Sequence, residues 1–242
     1  MNLKKKHIVV LTGAGISAES GLKTFRDNDG LWMGYNIEDV ATPQAFKKDP
    51  KLVLDFYNMR RRDVAAAKPN DAHYGIAVLE KDFKVTIITQ NIDDLHERAG
   101  SKNIIHLHGE IFKMRSEYSD GYSNPDEIKE IRGDINLGNK AKDGGQLRPH
   151  IVWFNEPVPL IEIAQQVVST ADIFVVVGTS LQVYPAAGLV YSLQDDVPKY
   201  IIDKKIPSFS PLKNLHFIEK PATEGVEEVK QMLMNHQIPK PT

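Results

Sequence analysis

Three polar clusters in this 242-residue chain have the residue types and spacing to do chemistry. Thr89-Gln90-Asn91-Ile92-Asp93 closes the apolar run Val85 to Thr89, which reads as a buried strand. Its amide and carboxylate side chains therefore stand at the carboxyl end of a parallel strand, where open α/β sheets bind ligands. There they can hydrogen-bond a carboxamide and a ribose; the plainer alternative is a helix cap, Asp93 before Asp94-Leu95-His96. His106-Leu107-His108-Gly109 ends another strand, Ile104 to Leu107. Two histidines at i and i+2 face one side of a strand, a spacing compatible with a metal, but no further ligand set accompanies them. A single imidazole there, titrating near neutrality, suits general-base work, although a histidine at a strand end is more often structural. Tyr57 and Arg60 lie at i and i+3 on one helix face. A phenol and a guanidinium so placed can grip a terminal carboxylate, whereas the run Arg60-Arg61-Arg62 can equally be a solvated basic face.

Other elements must position these groups. The run Ile8 to Leu11 is too short for a typical helix and ends in glycine, as a buried parallel strand does. Gly13-Ala14-Gly15-Ile16-Ser17-Ala18 then spells G-x-G-x-x-A, the dinucleotide fingerprint in its alanine-ended form, with a helix expected to begin near Ser17 and present its N–H groups to phosphates. A tight glycine turn without a ligand is the alternative. Thr42-Pro43 opens a short helix to about Lys48, and Pro50 a longer one to about Ala66, on which Val53, Tyr57, Arg60 and Val64 share a face. Pro69-Asn70 starts another. Residues 113–148 turn polar, with a short helix expected from Pro125 to about Arg132; Ile151 to Phe154 resumes extended structure, able to pair with an extended peptide through Val152 and Phe154 or simply to pack at a junction. A helix at 160–168, strands at 173–177, 200–202 and 216–218, and a closing helix at 224–235 complete the pattern. Alternating strands and helices argue an α/β, doubly wound parallel sheet with a small inserted lobe. The large part is expected at about 1–40, 70–110 and 150–242, and the lobe at about 41–69 and 111–149.

Composition narrows the classes. The formal charge of −2 gives no electrostatic case for nucleic acid or membrane. No apolar run approaches the roughly 20 residues of a membrane span, and the basic start of the chain lacks the apolar region of a signal peptide. The sequence holds no cysteine, which excludes disulfides and thiolate metal sites together. A cytoplasmic enzyme is the expectation.

The stretch after the glycines carries Glu19-Ser20-Gly21, Thr24-Phe25-Arg26 and Asp29-Gly30-Leu31-Trp32, which neither a dinucleotide fingerprint nor packing requires. With the glycines it resembles the sirtuins, NAD-dependent protein-lysine deacylases, whose motif G-A-G-x-S-x-x-S-G-[IL]-x-x-F-R is matched at every specified position. The resemblance runs over about residues 7 to 230. It implies NAD binding by Gly13, Ala14, Gly15, Ser17, Glu19 and Trp32, with Phe25 and Arg26 closing over the cofactor. The T-Q-N-x-D match implies that Asn91 and Asp93, flanking Ile92, hold the nicotinamide, and that Gln90 meets the ribose. The H-G match makes His108 the general base, acting with Asn91; His106 has no counterpart and is left structural. Gly178-Thr179-Ser180 and Val183 resemble the adenosine-side loop, Asp203 stands where the family more often has asparagine, and Ala222 resembles a segment near the adenine. Val152, Phe154, Asn155 and Glu156 resemble one wall of the acyl-lysine tunnel.

Tyr57 and Arg60 resemble the signature of the subgroup that removes succinyl and other acidic acyl groups. Ser116 stands about where the first cysteine of the family's structural zinc site would be, so no zinc is expected. The implied reaction cleaves the nicotinamide–ribose bond as the acyl oxygen attacks the anomeric carbon, giving nicotinamide, free lysine and an O-acyl-ADP-ribose. Removal of acetyl and of succinyl or malonyl groups from acyl-lysine proteins or peptides is thus the expected function. A protein mono-ADP-ribosyltransferase and a non-catalytic NAD or ADP-ribose binding module are the alternatives. A dehydrogenase is disfavoured, since no acidic residue ends a second strand about 20 positions past the glycines.

Overall fold

The structure, a computed structural model, describes residues 5–23, 34–206 and 212–235, and the backbone of 31 and 32. Phe25, Arg26 and the side chain of Trp32 lie outside the described residues. In chain order the elements are β1 (His7–Thr12), α1 (Ala14–Ala18), β2 (Leu31–Trp32), β3 (Tyr35–Asn36), α2 (Ile37–Val40), α3 (Pro43–Lys48), α4 (Pro50–Ala66) and α5 (Asp71–Leu79). They continue with β4 (Lys84–Thr89), α6 (Leu95–Arg98), β5 (Ile104–His106), β6 (Gly109–Ser116), β7 (Lys129–Glu130) and β8 (Leu147–Ile151). α7 (Ile161–Val168), β9 (Ile173–Val177), β10 (Lys199–Ile202), β11 (Leu215–Ile218) and α8 (Ala222–Met234) close the chain.

Six strands form one parallel sheet in the order β11-β10-β9-β1-β4-β5, a doubly wound arrangement that reverses direction at β1. Successive side chains of β1 go to opposite faces, and both faces are covered, which is why the strand reads as an unbroken apolar run. Ile8 and Val10 join the core under α5 and α8, while Val9 and Leu11 join the core under α7. A second, antiparallel sheet of order β7-β6-β8 makes the inserted lobe. Its core is separate: Phe46, Val53, Phe56 and Val64 from α3 and α4 pack with Ile111, Phe112, Ile135 and Ile151.

The helices start where their caps dictate. Thr42 Oγ1 accepts from Ala45 N at 3.0 Å, and Asp49 Oδ1 from Leu52 N at 2.9 Å, each followed by proline at the first helical position. Two expectations for the lobe are corrected. Pro125 opens only a single 3-10 turn, Pro125–Glu127, because the chain then pairs Lys129 and Glu130 with Met114 and Lys113 of β6. The extended segment lies earlier than 151–154: β8 ends at Ile151, and Phe154 N turns away to donate to Ala41 O at 3.0 Å.

Polar latches hold the lobe. Arg61 is fully buried; its Nε donates to Ile111 O at 2.8 Å and its Nη1 to Asn58 Oδ1 at 2.8 Å. Asn58 in turn bonds both backbone groups of Ile135, at 3.0 and 2.9 Å, so α4 is tied to a loop more than seventy residues away in sequence. Ser116 Oγ donates to Asp143 Oδ1 at 2.9 Å, and the same oxygen accepts from Gly145 N at 2.9 Å. A Cβ on Gly145 would fall 2.3 Å from Ser116 Oγ, so a hydroxyl and a glycine close the lobe where thiolates do not exist.

Beneath the large sheet, α5 and α6 bury two histidines against each other. His73, capping α5 through Asn70, stacks edge-on to His96 at 5.0 Å, and His96 Nε2 meets Thr12 Oγ1 at 3.1 Å. Burial, and then the Arg98 charge, lower the His73 pKa to about 4. A histidine held neutral in the fold binds its proton more readily when unfolded, so stability is full above pH ~6.5 and falls as pH drops toward 4. A His73→Gln chain, with Gln still able to complete the capping box, should lose less stability on acidification. The difference expected from urea unfolding between pH 7 and pH 4.5 is about 2 kcal/mol; equal losses in both chains would contradict the assignment.

Candidate active site

The cofactor crevice is made where β1 and β9 part. Gly13 N donates to Val177 O at 3.0 Å and Gly15 N to Gly178 O at 2.8 Å, so the two loops lie backbone to backbone. A Cβ on Gly15 would come within 2.6 Å of Gly178 Cα, and Gly178 itself has φ +62°. Only residues without a side chain permit that approach. The helix after the loop begins at Ala14 rather than near Ser17 and lasts five residues, which corrects the expected start. Ser17 is therefore inside it and buried.

A cavity of about 970 Å³ opens from this crevice. Gly13, Ala14, Gly15, Ser17, Gln90, Asn91, Ile92, Asp93 and His108 line it on one side. Gly178, Thr179, Ser180, Val183, Asp203 and Ala222 line it on the side of β9, β10 and α8, and Tyr57, Arg60, Val152, Phe154, Asn155 and Glu156 on the side toward the lobe. Glu19 alone among the described candidates sits elsewhere. Its carboxylate accepts from Thr223 N at 3.1 Å and Thr223 Oγ1 at 2.9 Å, joining the end of α1 to α8 beside the lining residue Ala222.

The loop after β4 is pre-arranged. Asn91 Nδ2 donates to Gly13 O and to Ser17 Oγ, both at 3.1 Å, while Ser17 Oγ donates to Asp93 Oδ2 at 3.0 Å. Asp93 Oδ1 accepts from Leu95 N at 3.2 Å, at the first residue of α6, whose N-cap is Asp94 rather than Asp93. Burial raises the Asp93 pKa; the Leu95 amide, Ser17 and the His106 charge oppose it. Gln90 Nε2 donates to Thr179 Oγ1 at 3.0 Å, bridging the crevice.

His108 Nδ1 lies 3.0 Å from Gln90 O. A carbonyl only accepts, so Nδ1 carries the proton and Nε2 the lone pair of a base. Burial lowers the His108 pKa, with the Gln90 carbonyl partly offsetting it, so the base form prevails at neutral pH. His106, two residues earlier, points instead to Glu97 and a different cavity. The two histidines do not converge on one point.

At the lobe end, Tyr57 and Arg60 are both buried, as are Val53 and Val64 of the same helix face. The arginine run is therefore no solvated face: Arg60 faces the cavity, Arg61 the lobe, and only Arg62 meets Asp134 at the surface. Burial pushes the Tyr57 hydroxyl pKa up, against Trp153 and the Arg148 and Arg60 charges. Glu156 borders the cavity but its carboxylate is engaged: Arg148 Nη1 and Nη2 donate to it at 2.7 and 3.1 Å, and Trp153 N at 2.7 Å. The Arg148 guanidinium lies over the Trp153 ring at 3.2 Å, and Asn155 turns with φ +69°. Glu156 thus shapes the wall rather than presenting its charge to a ligand. Arg148 opens the Arg-Pro segment that runs to Glu156, and Trp153 has no site role expected from sequence.

The Sir2 family pattern matches residues 13–185. The chain belongs to the Sir2 family. This sirtuin is 53% identical over 232 residues to the NAD-dependent protein deacylase of Bacteroides thetaiotaomicron, with 95% of this chain and 98% of that protein covered. Among solved structures it resembles a Sir2 homologue mutant in complex with ADP-ribose, with TM-score 0.86, 38% identity, and 98% and 96% of the two chains covered. It also resembles a Sir2–p53 peptide–NAD+ complex, with TM-score 0.76, 29% identity, and 96% and 95% covered. Among the described residues, no helix of this sirtuin is long and apolar enough to cross a membrane.

The glycine contact gives a direct test. A Gly15→Ala sirtuin must separate the two loops, since the new methyl would meet backbone. Affinity for ADP-ribose by calorimetry should fall about tenfold or more, ~1.4 kcal/mol, with the circular dichroism of the folded chain retained. Unchanged affinity would place the ligand away from this loop.

Proposed function

We propose that this sirtuin removes acyl groups from lysine side chains of proteins at the expense of NAD, acetyl among them, and that it accepts succinyl and malonyl groups. The observation that carries the reading is one continuous cavity. It joins the glycine loop, the base His108, and the buried pair Tyr57 and Arg60. Bound NAD supplies an electrophilic ribose carbon and a nicotinamide leaving group. The residues fit it: loops without Cβ atoms for the diphosphate, Ser180, Val183 and Asp203 for the adenosine end, and Gln90, Asn91 and Asp93 for the nicotinamide riboside.

The acyl-lysine enters between Val152, Phe154 and α4, its main chain running along the Val152–Asn155 segment. Tyr57 and Arg60 lie where the acyl end arrives. A guanidinium and a phenol in a site shielded from water bind a carboxylate more strongly than they would on a surface. His108 Nε2 takes a proton from a ribose hydroxyl, its Nδ1 proton held on Gln90 O. The buried walls keep competing water from the reacting carbon. In this reading the parts at 1–40, 70–110 and 150–242 carry the cofactor, and those at 41–69 and 111–149 much of the acyl pocket. A cytoplasmic setting, where NAD is consumed, belongs to the same proposal.

Nicotinamide release with matched acetyl-lysine and succinyl-lysine peptides tests it, for the parent chain and Arg60→Met. Loss of a charge-assisted hydrogen bond should cut succinyl turnover (kcat/KM) by roughly 10- to 100-fold and largely spare acetyl turnover. Equal effects on both would remove Arg60 from the acyl carboxylate. ADP-ribose attached to protein without dependence on acylation would select the transferase instead.

A further inference from the structure

His106 takes no part in the chemistry above, yet its surroundings are built. It is 9% exposed, at the end of β5 and directly behind the Asn91 loop. Nε2 lies 2.7 Å from Glu97 Oε1, and Nδ1 lies 3.4 Å from Asn91 O. Both partners are acceptors only. A neutral imidazole has one N–H and can satisfy one of them; the imidazolium satisfies both. Two acceptors thus face the two ring nitrogens, an arrangement that favours the charged form.

The charges around it come from every side. Glu97 stands on α6, and Glu110 on β6, itself paired with Lys113 at 2.7 Å. Asp93 lies in the loop. His96 of α6 and His150 of β8 also feel its charge, and burial, first of all, lowers the pKa of each. Burial opposes protonation of His106, but the Glu97 hydrogen bond and the Glu97 and Glu110 charges outweigh it and raise its pKa. Its charge acts in turn on Asp93, whose other partners are Ser17 and the Leu95 amide.

We propose that His106, hydrogen-bonded as an imidazolium between Glu97 and the Asn91 carbonyl, is a positioning residue for the loop that grips the nicotinamide end of NAD, and that loss of its proton ends catalysis on the alkaline side. The inference rests on the assignment of Asn91 and Asp93 to nicotinamide. When the proton leaves, one of the two contacts becomes lone pair against lone pair. Either α6 releases the ring or the ring releases Asn91, and Asp93 loses a compensating cation in both cases. His108 then sets the acid limb of the activity profile, and His106 the alkaline limb.

The experiment is nicotinamide release against pH for the parent chain, His106→Asn and Glu97→Gln, with the histidine rings followed by NMR. Asparagine can still donate toward the Asn91 carbonyl but does not titrate. Its profile should lose the alkaline limb and keep the acid one, with kcat at the optimum reduced about tenfold and peptide KM unchanged. Glu97→Gln should move the alkaline limb and the His106 NMR titration to lower pH together, by about one unit or more. A purely structural His106 would lower stability in both variants and leave the alkaline limb where it is. That result, or an NMR titration that moves while the limb does not, overturns the proposal. If the parent chain releases no nicotinamide from any acyl peptide, the deacylase reading fails instead. His106 is then judged by NAD affinity, which should fall as its NMR signal reports deprotonation; NAD affinity flat across that range would overturn the proposal too.

Discussion

Backbone pressed on backbone is the constraint from which the rest of the site follows. Gly13 and Gly15 lie against Val177 and Gly178 closely enough that no Cβ fits, and two hydrogen bonds lock the contact. The contact sits between β1 and β9, where the strand order reverses, so it joins the two halves of the sheet at the crevice itself. Asn91 reaches the same loop, donating to Gly13 O, and Ser17 passes the connection on to Asp93. A glycine turn thereby fixes the carboxamide and carboxylate of a different strand. Pre-organisation of this kind lets a site hold a flexible dinucleotide without reorganising at the moment of reaction.

Helix α4 serves two structures at once. On one face Tyr57, Arg60 and Val64 line the end of the cavity toward the lobe. The neighbouring positions Asn58 and Arg61 face the lobe and tie it down through the backbone of residues 111, 133 and 135. A buried arginine whose donors meet backbone carbonyls organises the loops around it, since each carbonyl would otherwise be left without a partner. With the Ser116–Asp143–Gly145 knot, this adds a hydrogen-bonded frame to the lobe's apolar core in a chain that has no thiolate to offer a metal. The lobe end of the cavity and the lobe itself are therefore not independent, since Arg60 and Arg61 are adjacent on one helix.

Much of this was legible in the sequence. The apolar runs of β1, β4 and β9 announce buried strands, and Thr42-Pro43 and Pro50 set two helix starts to the residue. Spacing put Tyr57 and Arg60 on one face, and the structure places both on the cavity. What stayed hidden depends on partners distant in the chain. Arg61 looked like part of a solvated run because the carbonyls it meets belong to residues 111 and 133. Pro125 promised a helix, but pairing of Lys129 and Glu130 with β6 ends the turn early. The carboxylate of Glu19 meets Thr223, 204 positions further along the chain. Local rules find elements and faces; they do not find which of several polar residues a remote backbone will need.

The central claim is that one cavity brings NAD and an acyl-lysine together, with His108 as the base that completes acyl transfer to ribose. Mass analysis of the products from NAD and a succinyl-lysine peptide tests it most directly. The account predicts O-succinyl-ADP-ribose, nicotinamide and free-lysine peptide in equal amounts. Free succinate formed without consumption of NAD, or ADP-ribose linked to the peptide with its acyl group intact, would contradict it.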